Sequence, residues 1–118
     1  MRQFPVFFTV QDRPVLIAGG GEAAARKLRL LLKADARVTV VAPDATDEIL
    51  DLVEAGDIDW QARAFQPEDL TGIILAYGAT GIDAVDRQVS DAARRAGVPV
   101  NVVDRPELSD FITPAIID

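Results

Sequence analysis

Three consecutive glycines at residues 19–21 separate an apolar run from a leucine-rich one, and Gly19, Gly21 and Ala24 keep a G-x-G-x-x-A spacing across them. At a strand-to-helix turn each position of that spacing has a task. The first glycine takes up unusual dihedrals, the second leaves out a side chain where a pyrophosphate approaches the backbone, and the small third residue lets the helix pack close to the strand. The N–H groups of the new helix then face the phosphates, and the helix dipole favours their negative charge. Such a turn holds a dinucleotide; the competing reading is a tight turn in an ordinary α/β domain.

Ligands of open α/β sheets lie beyond the carboxyl ends of the strands, which singles out Gly78-Ala79-Thr80-Gly81 and Asn101-Val102-Val103-Asp104-Arg105. Ala79 and its neighbours are small enough to lie beside a cofactor, and Thr80 offers a hydrogen-bond donor or a helix N-cap. Asp104 is the carboxylate at the end of the fifth apolar run, and in a chain without histidine it is a natural general base. Its alternative role is structural, in the turn before Pro106. Asp44 follows Ala42 and Pro43, where it could hydrogen-bond an adenosine ribose or cap a helix beginning near Ala45. Neither Arg nor Lys directly follows that strand to receive a 2′-phosphate, which favours NAD over NADP. The absence of cysteine and histidine removes thiolate nucleophiles, disulfides and the commonest metal ligands. No resident metal site is expected.

These residues need elements to position them, and strand and helix patterns alternate along the chain. Residues 4–10 are β-prone and read as a short lead-in strand or extended arm. Residues 15–18 form an apolar run with no polar face, which suits a central parallel strand buried on both sides. Ala24, Leu28, Leu31 and Leu32 then recur at helical spacing. That helix ends near Asp35, which stands where a C-terminal glycine is common. Residues 38–41 are a second strand; Ile49, Leu52 and Val53 mark a second helix closed by Gly56; residues 58–62 are a third strand containing Trp60. Residues 72–77 read as a fourth strand, Val85, Val89, Ala92, Ala93 and Ala96 as a helical face stopped by Gly97, and residues 98–103 as a fifth strand. Phe111, Ile112, Ile116 and Ile117 suggest a sixth strand at an exposed edge or subunit contact. Successive βαβ units predict an α/β fold: a Rossmann-like, doubly wound, mostly parallel sheet with helices on both faces.

The chain has 118 residues, one domain's worth, of which 49% are apolar and 26% charged. No apolar run approaches the roughly 20 residues of a membrane helix, and residues 1–11 lack the pattern of a signal peptide, so the expectation is a cytoplasmic protein that does not bind membranes. A formal charge of -7 argues against nucleic acid as a partner, because that attraction is built from Lys and Arg neutralising phosphates. Arg26, Lys27, Arg29 and Lys33 nonetheless lie together after the glycines, either as a solvated helix face or as a local attraction for an anionic ligand.

The stretches FPVFFTVQDRPVLIAGGGEAAARKLRLLL, VTVVAPD, GAT and VSDAARRAGVPVNVVDRPELSDFITPAIID together resemble the N-terminal NAD-dependent module of siroheme synthase, found also as free-standing precorrin-2 dehydrogenase/sirohydrochlorin ferrochelatase. The resemblance runs nearly end to end, and the pair NVVD and FITPAIID is its most specific part. It implies oxidation of precorrin-2, a tetrapyrrole, by NAD⁺ to sirohydrochlorin, with insertion of Fe²⁺ as a further lyase step. It also implies that Asp104 serves as the catalytic residue and that Glu22, Ala23, Pro43 and Asp44 contact NAD beside Gly19, Gly21, Ala79 and Thr80. A homodimer and a longer protein, of which residues 1–118 are the NAD(P)-binding part, follow from the same likeness. Gly81 and Ile82 depart from it, standing where the family often has acidic residues. The competing reading is a non-catalytic NAD-binding regulatory domain.

Overall fold

A computed structural model describes residues 2–113. Its first strand, β1 (Pro14–Ala18), is apolar along its length because both of its faces are covered. Val15 and Ile17 enter one core layer with Ala24, Ala25, Leu28 and Leu31 of helix α1 (Glu22–Lys33), which Ile49 of α2 (Asp47–Glu54) extends. Leu16 and Ala18 enter a second layer on the opposite face, against Val89, Ala92 and Ala93 of α3 (Asp83–Ala96). The remaining strands are β2 (Arg37–Val41), β3 (Asp59–Gln61), β4 (Leu75–Gly78) and β5 (Val100–Val102), with 3₁₀ turns at Pro67–Leu70 and Pro106–Leu108.

The strand order is β3-β2-β1-β4-β5 and every pairing is parallel. This is the expected doubly wound, Rossmann-like sheet with helices on both faces. The connection from β3 to β4 carries the chain back past β2 and β1, so the winding reverses between β1 and β4, which is where such sheets bind ligands. The register aligns the strand ends: Ala18 pairs with Val41 on one side and Gly78 on the other, and Gly78 pairs with Val102. Four loops therefore leave the sheet along one line.

Asp35 terminates α1 in the left-handed region at φ 59, the place a glycine often takes. Two strand expectations are not met. Residues 4–10, read as a lead-in strand or an arm, form no strand: they have no ladder partner among the described residues, and Phe4 and Phe7 are exposed. β-propensity alone cannot make a strand without a second backbone to bond. The sixth strand is also absent at Phe111 and Ile112; Ile116 and Ile117 lie outside the described residues. The segment does line β5, but largely through side chains. Val102 N donates to Ser109 Oγ (2.8 Å), Val100 N to Asp110 Oδ2 (3.1 Å), and Asn101 Nδ2 to Phe111 O (2.9 Å). Side-chain acceptors take the edge N–H groups that a ladder would have used.

Candidate functional site

The glycine turn lies where three of the four loops meet. Gly19 N donates to Val41 O (3.0 Å), and a methyl group on Gly19 would lie 2.3 Å from the carbonyl oxygen of Ala79. Its φ of 138° is in a region that glycine alone occupies readily. A methyl group on Gly20 would lie 2.0 Å from the carbonyl oxygen of Asp44, and Gly20 O accepts from Thr46 N (2.9 Å). Gly20 thus locks the turn to the loop after β2, a role that the G-x-G-x-x-A spacing assigns to no residue.

Gly21 differs from both. It is exposed, and nothing lies within 4 Å of the position a Cβ would take. It is the N-cap of α1 and makes no side-chain cap bond, so the first-turn N–H groups, those of Glu22 and Ala23 among them, have no cap from this residue. An uncapped helix start behind an open glycine fits the phosphates of a dinucleotide. Glu22, acidic at this terminus, is drawn along the helix by Arg29 (3.3 Å).

Pro43 and Asp44 are exposed at the end of β2, beside the turn. Asp44 does not cap α2: Thr46 does, its hydroxyl accepting from Ile49 N (3.4 Å). Threonine two residues later satisfies the helix, so the Asp44 carboxylate is not committed to that helix start. Trp60 Nε1 donates to Ala42 O (3.0 Å) and fixes the same loop from β3.

On the other side of the turn, Ala79 is buried and its N–H donates to Ala18 O (2.8 Å). The Thr80 hydroxyl donates to Asp86 Oδ1 (2.7 Å) and accepts from Ile82 N (3.1 Å), so its donor is already used within the protein. The N-cap position of α3 belongs to Ile82. Thr80 therefore contributes backbone placement to the site and leaves its hydroxyl hydrogen pointed at Asp86.

Asp104 is exposed two residues beyond β5 in a turn closed by Arg105 N donating to Val102 O (3.0 Å). Its φ is 60°, in the left-handed region that aspartate tolerates at a cost. Ser109 holds the turn from below, its hydroxyl donating to Arg105 O (2.9 Å). Arg105 itself is paired with Asp83 and Glu107. One cation was not singled out by the sequence as coupled to Asp104. Lys27 on α1 places its Nζ 6.0 Å from the centre of the Tyr77 ring, within electrostatic reach of Asp104. Burial, and secondarily the Arg26 charge, hold the Lys27 ammonium below its ordinary pKa, while the Asp104 carboxylate works in the opposite direction. Tyr77 meets Phe111 edge-on (5.6 Å, 87°), and its burial pushes the phenol pKa up. The basic cluster is thereby divided: Lys27 turns inward, and Arg29 is bound to Glu48 (2.6 Å) and Glu22. The signal for Lys27 was its place one residue before Leu28, beside the apolar stripe of α1.

The glycine turn, the loop after β2 and the loop after β4 are thus in direct contact, and Asp104 stands at the end of the neighbouring strand β5. Comparison with known proteins bears on what such an arrangement serves. Siroheme synthase of Methylococcus capsulatus is 50% identical over 118 residues, which are 100% of this chain and 25% of that protein. Siroheme synthase of Nitrosomonas europaea is 47% identical over 119 residues, again 100% of this chain and 25% of that protein. The chain therefore spans about a quarter of the length of these relatives. Among solved structures, "SirC, precorrin-2 dehydrogenase" superposes with a TM-score of 0.84 at 26% identity, over 98% of this chain and 57% of that one. The NAD(P)-binding family profile NAD_binding_7 matches residues 6–115, a span that takes in the glycine turn, the three loops around it and Asp104, and the chain belongs to that family.

Proposed function

We propose that this chain is the dinucleotide-binding part of an enzyme that oxidises precorrin-2 to sirohydrochlorin with NAD⁺, in siroheme biosynthesis. The observation that carries the proposal is the superposition on SirC, a precorrin-2 dehydrogenase, over 98% of the chain; the identity to siroheme synthases supports it. Gly19 and Gly20 shape the cradle, and Gly21, Glu22 and Ala23 offer backbone N–H groups to the pyrophosphate. Pro43 and Asp44 border the adenosine ribose, and Ala79 and Thr80 form the wall beside the nicotinamide. An exposed carboxylate at Asp44 repels a 2′-phosphate, which favours NAD⁺ over NADP⁺.

Bound NAD⁺ supplies the hydride acceptor. Oxidation of precorrin-2 releases a hydride and a proton, and Asp104 takes the proton as general base. Fe²⁺ insertion displaces protons from pyrrole nitrogens, so the same base suits it, and Fe²⁺ is the second substrate in this reading. The protein acts in the cytoplasm as a homodimer, and residues 1–118 are one part of a longer chain.

Asp104→Asn in the complete protein tests the assignment, because asparagine also tolerates a positive φ and keeps the turn. Turnover of precorrin-2 should fall by at least about 100-fold, in the range that general-base removal costs, with NAD⁺ affinity nearly unchanged. Undiminished turnover would remove Asp104 from the chemistry.

A further inference from the structure

Asp86 is a buried carboxylate, 7% exposed, on the first turn of α3. An acidic residue there can bond the free N–H groups of its own helix, but the contacts of Asp86 run the other way. Its Oδ1 accepts from Thr80 N (3.1 Å) and from Thr80 Oγ1 (2.7 Å). Thr80 Oγ1 in turn accepts from Ile82 N (3.1 Å), so one carboxylate oxygen organises the loop after β4. That loop is also what Gly19 packs against: a methyl group on Gly19 would sit 2.3 Å from Ala79 O and 3.0 Å from the same Thr80 N that Asp86 holds. Burying a carboxylate is costly unless its hydrogen bonds compensate. Here the compensation is spent on a loop that packs directly against Gly19 of the glycine turn.

We infer that Asp86 is a positioning residue for the dinucleotide, fixing the loop of residues 78–81 at the distance from the glycine turn that the cofactor requires. The inference rests on the cofactor site proposed above. It requires an acceptor atom at that point rather than a charge, since both donors converge on Oδ1. Asparagine supplies the same acceptor, whereas alanine removes it and frees Thr80 to move.

The test is calorimetric titration of NAD⁺ into the wild-type chain, Asp86→Ala, Asp86→Asn and Thr80→Val, each first checked for a cooperative thermal transition. Asp86→Ala should bind NAD⁺ about tenfold more weakly, Asp86→Asn within about threefold of wild type, and Thr80→Val between them, as expected for loss of two, none and one of the hydrogen bonds that Asp86 accepts from the loop. A cooperatively melting Asp86→Ala protein with wild-type affinity would overturn the inference, and so would an Asp86→Asn protein as weak as Asp86→Ala. Should Asp86→Ala fail to fold, Thr80→Val decides: unchanged affinity in a cooperatively melting Thr80→Val protein overturns the role. A wild-type chain that takes up no NAD⁺ overturns the cofactor site itself, which the variants alone cannot do.

Discussion

Gly19 and Gly20 are held by close backbone contacts, whereas Gly21 faces open space, and this division separates the shaping of the turn from the binding of a ligand. Gly19→Ala and Gly20→Ala should each destabilise the fold by about 2 kcal/mol or more, because each places a methyl group against a backbone carbonyl that no rotation relieves, and at Gly19 backbone strain adds to it. Gly21→Ala should cost about 1 kcal/mol or less, because its φ of -94° suits any residue. Yet it should weaken NAD⁺ binding at least about tenfold, by placing a methyl group where phosphate approaches. Chemical denaturation and NAD⁺ titration of the three variants check this, and wild-type affinity in Gly21→Ala would argue against the cradle. The places of Gly19 and Gly21 in the turn were legible because they follow a local pattern. Gly20 was not, since its reason is the distant carbonyl of Asp44. Asp86 left a trace in the sequence: it lies three residues before Val89 and seven before Ala93, on the buried stripe of α3, where a carboxylate is out of place.

At the level of elements, strand and helix alternation was readable because central parallel strands are continuously apolar and the helices carry apolar stripes. Strands did not form at the two edges, residues 4–10, for which an arm was the other reading, and 111–112, because a strand there depends on a partner that composition cannot reveal. Short elements were also hidden, among them the 3₁₀ turn Pro67–Leu70 that bridges β3 and β4. It is held by Asp69, whose carboxylate accepts from Gln66 N (2.8 Å) and pairs with both terminal guanidinium nitrogens of Arg63. The Arg63 hydrogen bonds hold Asp69 below the ordinary carboxylate range, burial acting against them. A folded pKa below the unfolded one stabilises above the unfolded value, and that stability is lost as pH falls through the folded value. Asp69→Asn should therefore cost about 1–2 kcal/mol at neutral pH. The difference from wild type should shrink as the pH is lowered below the ordinary aspartate range. An equal difference at both pH values, measured by denaturant titration, would show that the charge of Asp69 contributes nothing.

For the molecule as a whole, the doubly wound order brings together residues far apart in sequence: the turn at 19–21, the loops at 42–46 and 78–81, and Asp104 after β5. The likeness to siroheme synthases and to SirC extends over nearly all of this chain but over only 25% and 57% of those proteins. The reaction is accordingly best measured on the complete protein. With precorrin-2 and NAD⁺ supplied together, one NADH should form for each precorrin-2 oxidised, with a much slower reaction when NADP⁺ replaces NAD⁺. Tight binding of NAD⁺ with no NADH formed would contradict the proposed dehydrogenase and would leave a dinucleotide-binding regulatory domain in its place.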